Sequence, residues 1–109
     1  GLTGTYLKVL FRQLGIADDI RRKHKSVRGA EAVARGEVEL GLTQVSEILY
    51  QTGTELAGPL PPAIQNYTNF PAAISAHARE PAAARALIDY LASPAALRAI
   101  RAQGMEPPG

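Results

Sequence analysis

The chain has 109 residues, of which 46% are hydrophobic and 20% are charged, and its formal net charge is +2 at pH 7. These values are typical of one globular domain or of part of one, and no apolar run approaches the ~18 residues of a membrane span. The chain contains no cysteine, which excludes disulfide bonds and thiolate chemistry.

The first residues predict a helix with an exposed start. Apolar side chains from Leu7 to Leu14 recur at the spacing i, i+3, i+4, i+7, and Gly15 predicts the end of this helix. The stretch ADDIRRKH predicts a short, capped, exposed helical turn, and Lys25–Val27 predicts a brief strand. The opening turn GLTG leads directly into a helix, an arrangement that suits an anion because the first N–H groups are unpaired.

The middle of the chain predicts helix, strand and helix. A helix over residues 29–35 is expected to end at Gly36. The stretch VELGLTQV, residues 38–45, alternates apolar and polar residues as a strand does, and Gly41 within it indicates a close approach of two backbone segments. Ser46 is expected to cap a short helix that runs through Tyr50.

The second half predicts extended segments followed by two helices. The stretch TELAGPLPP, residues 54–62, is expected to form a strand that runs into a proline-rich loop. Residues 66–78 are expected to be extended and mostly apolar, with Pro71 indicating a sheet edge or a bend. Pro81 predicts a first helical position, Ser93-Pro94 predicts a helix restart, and Gly104 a helix end. Helices that alternate with short strands indicate an α/β protein.

Motifs of common enzymes are absent from the sequence. There is no glycine-rich phosphate loop and no G-x-S-x-G nucleophile turn. His24 and His77 are far apart, and neither has a partner at metal-ligand spacing. The pair Asp18-Asp19 is better explained as helix cap and dipole partners than as catalytic carboxylates. The sequence therefore predicts a protein that is not an enzyme and holds no metal or cofactor.

Basic residues are concentrated in the stretch RRKHKSVR, residues 21–28. Clustered Lys and Arg can neutralise nucleic-acid phosphates. The cluster is short, has no interleaved aromatic residue and follows two aspartates, so a solvated connection is the favoured interpretation and no nucleic-acid partner is expected.

Four runs carry a resemblance to a known family: GLTGTYLKVLFRQLGIADDI, VARGEVELGLTQVSEIL, LAGPLPPAIQNYTNF and LASPAALRAIRAQGMEPPG. Together they resemble the C-terminal half of bacterial extracellular solute-binding proteins related to the molybdate-binding protein of ABC transporters. The resemblance covers essentially the whole chain in order, and the GPLP…Q loop is among its most distinctive elements.

The resemblance implies part of a type II periplasmic-binding-protein clamshell, in which two α/β lobes enclose the ligand. Residues 1–65 would supply the second lobe. Residues 66–109 would supply a crossover strand and the C-terminal helices of the first lobe. A chain that opens at a ligand-facing turn is accordingly expected to be a truncated or cleaved portion.

The resemblance also implies ligand-binding residues at turns that lead into helices. Thr3, beside Gly4, matches a family position that donates a backbone N–H, and Val27, before Arg28, matches a second such donor. Gln44 falls where the molybdate binders place a tyrosine hydroxyl, although its amide can still donate. Gly4 would keep the backbone accessible to the ligand, and Arg28 could reach it. The alternatives are that Gly4 only serves the turn, that Thr3 is a plain helix cap, and that Arg28 is simply an exposed arginine, which is the favoured interpretation for Arg28.

The implied function is capture of a small ligand, a tetrahedral oxyanion such as molybdate, and its delivery to an ABC permease from the periplasm. The same architecture serves as the effector-sensing domain of bacterial transcription regulators, and an enzyme of related fold is a weaker alternative. Uncovered apolar faces around residues 70–74 and on the last two helices lead us to expect self-association.

Overall fold

A computed structural model describes residues 1–107, which form six α-helices and one 3₁₀ turn. The chain divides into two compact units, of which the first is Gly1–Thr68 and the second begins at Asn69. The helices are α1 (Leu2–Gln13), α2 (Ala17–Lys23), α3 (Gly29–Ala34), α4 (Val45–Tyr50), α5 (Pro81–Leu91) and α6 (Pro94–Ala102), and the 3₁₀ turn is Pro62–Ile64.

The predicted strands do not form, so the α/β class is not confirmed in residues 1–107. The segments predicted as strands, 25–27, 38–45 and 54–62, contain no strand. They are irregular up to the points where α4 begins at Val45 and the 3₁₀ turn begins at Pro62. Outside the helices, the backbone hydrogen bonds of the described chain join residues no more than five positions apart. A strand needs a partner backbone from a distant part of the chain, and these segments have none here.

Glycine ends α1 at the predicted position. Gly15 has a φ of +72°, a conformation that costs little for glycine and much for other residues. Its N–H bonds to the carbonyl of Arg12 at 3.1 Å, and the N–H of Ile16 bonds to that of Phe11 at 3.0 Å. This is the Schellman pattern, and Gly36 and Gly104 end α3 and α6 in the same way. All three predicted stops are confirmed.

The start of α4 differs from the prediction. The helix begins at Val45 with Gln44 as its N-cap, so Ser46 lies inside the first turn and is not the cap. The hydroxyl of Thr43 donates to the carboxylate of Glu47, and the N–H of Glu47 bonds to the carbonyl of Gln44 at 3.0 Å. These local bonds fix the earlier start. The predicted side-chain cap of α2 is also wrong, because its N-cap is Ile16.

The two C-terminal helices start as the sequence predicts. Proline occupies the first helical position of both, and the hydroxyl oxygen of Ser93 accepts the N–H of Ala96 at 3.3 Å, which caps α6. The predicted apolar stripe of α5 is only partly covered, since Leu87 is 60% exposed and Leu91 45% exposed.

Among residues 1–107, few side chains are buried. In the first unit these are Leu10, Ala30 and Ala32, and in the second Ala96. Helix α1 packs on α2, and α5 packs on α6. Within residues 1–107, none of the helices combines the length and apolar character needed to cross a membrane.

Candidate functional site

The predicted ligand residues lie at the starts of three helices. Thr3 and Gly4 are in the first turn of α1, Val27 and Arg28 immediately precede α3, and Gln44 is the N-cap of α4. The N–H groups of a helix's first turn lack intrahelical acceptors, and they carry the positive end of its dipole. The first turn of α1 is therefore chemically suited to an anion, whereas Glu31 and Glu47 place carboxylates in the first turns of α3 and α4.

At α1 the first-turn amides are not used by a side-chain cap. The N-cap is Gly1, so no side chain accepts these N–H groups, and the first turn contains no acidic residue. Thr3 is half-buried and Gly4 is exposed. The start of α1 thus presents N–H donors and no carboxylate that would repel an anion.

A backbone contact joins the second and third of these positions. A Cβ atom added to Gly41 would lie 2.9 Å from both the carbonyl carbon and the oxygen of Gly29, and 3.2 Å from a methyl group of Val33. The segment that carries Gly41 therefore lies directly on the start of α3. The close approach predicted for Gly41 is confirmed, and it brings together the segments that carry Arg28 and Gln44.

Among the described residues, the side chains of Arg28 and Gln44 have no polar partner. Each residue is an N-cap whose side chain makes no capping hydrogen bond. Across residues 1–107, neither side chain takes part in a hydrogen bond or an ion pair. Arg28 is exposed and Gln44 half-buried. A guanidinium and an amide offer donors that match carboxylate or other oxygen anions.

Helix α1 is tied to a different segment. The hydroxyl of Tyr6 donates to the carbonyl of Ile64, which anchors the Pro62–Ile64 turn on α1. The next residue, Gln65, belongs to the GPLP…Q loop, and its buried Oε1 has no hydrogen-bond partner among the described residues. The family resemblance implies that the N–H groups of Thr3 and Val27 bind the same ligand, and this stays a prediction.

An open cavity of about 120 Å³ lies beside the Gly29–Gly41 contact. It is lined mainly by α3, residues 39–43 and residues 54–58, and two carboxylates, Glu39 and Glu55, are among the lining groups. These charges disfavour an anion, and none of the predicted ligand residues lines the cavity. Sequence reasoning missed it because its walls come from separate segments, whose only signal was their apolar alternation.

The other candidate groups have ordinary surface roles. Asp18 pairs with Arg21 at 3.3 Å, and both side chains are largely exposed. Every residue from Arg21 to Arg28 is exposed, as a solvated connection requires. Within the described chain, no group of three His, Cys, Asp or Glu side chains is placed to hold a metal ion.

Comparisons with known proteins give a family and one relative. Residues 1–106 match the model of a family described as bacterial extracellular solute-binding protein. Aconitate isomerase from a Pseudomonas species is 34% identical over 109 residues, an alignment that covers 96% of this chain and 42% of that protein. The chain thus spans less than half the length of this relative. No solved structure gives a significant match.

The relative corrects one sequence-based prediction. We predicted a protein that is not an enzyme. The comparison contradicts this prediction, because the relative is named as an isomerase. Motif searches missed this because they test only for familiar catalytic patterns. Neither match names molybdate or an ABC permease.

Proposed function

The chain belongs to the bacterial extracellular solute-binding proteins, and on that basis we propose that it supplies part of a binding site for a small carboxylate anion. The family indicates binding of a small ligand and an extracytoplasmic location. The carboxylate is our own assignment. It rests on one observation above all, the 34% identity to a protein named aconitate isomerase.

The donors near α3 and α4 support this ligand class. Aconitate is a tricarboxylate, and a guanidinium pairs with a carboxylate through two parallel N–H···O bonds. We assign that pairing to Arg28 and a further donor to the Gln44 amide. The backbone N–H of Val27 and those of Thr3 and Gly4 would contribute neutral donors, which offset the desolvation of an anion in a closed cleft.

We further propose that the complete protein acts as an isomerase on a substrate of this class. This chain's part in that activity is to bind and orient the carboxylates. Carboxylates also lie near Arg28 and Gln44, since Glu31 and Glu47 are in the first turns of α3 and α4. We assign no proton-transfer role to them. Orientation of a substrate by fixed donors lowers the entropic part of a reaction barrier.

A second candidate is capture of a tetrahedral oxyanion such as molybdate in the periplasm, with delivery to an ABC permease. The family description favours it, since solute capture is what that description names. Neutral N–H donors at helix starts suit a tetrahedral anion as well as a carboxylate. The carboxylate candidate depends on the Arg28 guanidinium, whereas the tetrahedral-oxyanion candidate depends mainly on neutral N–H donors.

Calorimetric titration of the chain separates the two candidates. We expect weak binding of trans-aconitate, with a Kd of about 1 mM, since only part of a cleft is present and 1 mM corresponds to about −4.1 kcal/mol. The neutral trimethyl ester should not bind. Loss of a hydrogen bond to a charged group costs about 1.5–3 kcal/mol, so Arg28→Gln should weaken binding at least tenfold.

The matched control is Arg22→Gln, which changes the net charge equally within the exposed Arg21–Arg28 stretch. Binding should be nearly unchanged in this variant. Equal losses in both variants would mean non-specific attraction and would contradict the proposed site. Binding of molybdate without binding of aconitate would replace the first candidate by the second.

We also propose that the chain self-associates through its uncovered apolar side chains. In the second unit Phe70 is 64% exposed, Leu87 60% and Tyr90 58%. Removing such surface from water contributes roughly 25 cal/mol per Å². A second copy of the chain offers the same apolar face, as a self-complementary interface requires.

A further inference from the structure

We infer that Gly41 is a positioning residue, whose contact with Gly29 sets the spacing between the Arg28 guanidinium and the Gln44 amide. This inference rests on the proposed function of that site. Arg28 immediately precedes Gly29, and Gln44 lies three residues after Gly41. The contact is thus the point at which the two ligand-bearing segments meet.

Crowding alone requires glycine at position 41. Its φ does not lie in the left-handed region, so the backbone conformation itself would accept another residue. An added Cβ would lie 2.9 Å from two backbone atoms of Gly29, closer than Cβ atoms pack. A side-chain rotation of Val33 would relieve its own 3.2 Å contact and leave the backbone clash unchanged.

The two glycines of the contact are not equivalent. A Cβ added to Gly29 would lie 3.5 Å from the Cα of Gly41 and 3.6 Å from the nitrogen of Leu42, which are ordinary van der Waals distances. Alanine at position 29 should therefore fit, whereas alanine at position 41 must push the two segments apart. This asymmetry provides a matched pair of variants at one contact.

The displacement is large enough to affect binding. Restoring ordinary contact at position 41 requires a movement of about half an ångström, which is the tolerance within which binding groups must be held. Misplacement by about 1 Å can cost a hundredfold in a positioned reaction. We expect Gly41→Ala to weaken trans-aconitate binding about tenfold, and Gly29→Ala to change it less than twofold.

The test combines amide NMR with calorimetric titration of the 109-residue chain. In the unsubstituted chain, a nuclear Overhauser effect should join the α-protons of Gly29 and Gly41, and its absence would overturn the inference without any variant. In Gly41→Ala, the amide signals of residues 28–30 and 43–45 should shift together, with circular dichroism reporting that the helices remain.

A double variant distinguishes positioning from packing. Val33→Ala combined with Gly41→Ala removes the side-chain crowding and keeps the backbone clash, so the loss of affinity should persist. Recovery of affinity in the double variant would overturn the inference, as would wild-type affinity in Gly41→Ala. If the unsubstituted chain binds neither trans-aconitate nor molybdate, the proposed function fails, and this role of Gly41 fails with it.

Discussion

Leu10 is expected to be the most costly apolar side chain to truncate in the first unit. It is 4% exposed, whereas the other buried residues of that unit are Ala30 and Ala32. Leu14 provides the matched control, because it lies one helical turn later on the same predicted stripe and is 50% exposed. Both substitutions, Leu10→Ala and Leu14→Ala, remove the same atoms.

The expected magnitudes follow from burial. Leu→Ala at a buried site costs about 2.7–5 kcal/mol, because transfer free energy and cavity formation add. At Leu14 only part of the side chain leaves water and no enclosed cavity forms, so we expect roughly 1 kcal/mol. A unit of this size rarely has more than about 3–5 kcal/mol of stability, so Leu10→Ala should leave its first helices largely unfolded.

Urea unfolding followed by circular dichroism at the helical band measures both variants. Amide hydrogen exchange across α1 reports the same loss locally, since a loss of about 3 kcal/mol in local stability speeds exchange by more than a hundredfold. Equal destabilisation by the two substitutions would refute the reasoning, because it would mean that burial at Leu10 contributes nothing specific to stability.

Two further predictions concern the second unit. Ser93→Ala removes the side-chain cap of α6 and should cost about 1 kcal/mol, seen as roughly fivefold faster amide exchange in that helix; a rate within twofold of the unsubstituted chain would contradict the capping role. The apolar face that includes Leu87 and Tyr90 should produce oligomers by light scattering at high concentration, and Leu87→Ser should reduce them. A stable monomer at all concentrations would count against self-association.

Helix positions were predictable because their signals are local. The stop of α1 at Gly15 and the start of α6 at Ser93-Pro94 depend on residues within one turn of each position. Strands were not predictable in the same way, because a strand is stable only beside a partner strand, and the alternation of apolar and polar residues does not identify that partner. The alternating stretch around Gly41 is irregular, and it packs on the start of α3 without forming a ladder.

The candidate site was predicted residue by residue only through the family resemblance. Nothing in composition or spacing selects Arg28 from its basic neighbours or Gln44 from other polar residues. The structure adds that Arg28 and Gln44 are N-cap residues whose side chains make no capping hydrogen bond. The segments that carry them are in contact through Gly29 and Gly41. The enzyme motifs that were sought did not reveal the similarity to an isomerase, since that similarity is spread over the chain.

The sequence by itself determined the helices, their glycine stops and the family, because hydrogen bonds four or five residues apart and an ordered pattern of residues specify them. Only the tertiary structure decided which residues of each apolar stripe are buried. Leu10 and Leu14 are equivalent in periodicity, yet one is enclosed and the other half-exposed. It also decided that the backbones of Gly29 and Gly41 touch, since burial and contact depend on residues that are distant along the chain.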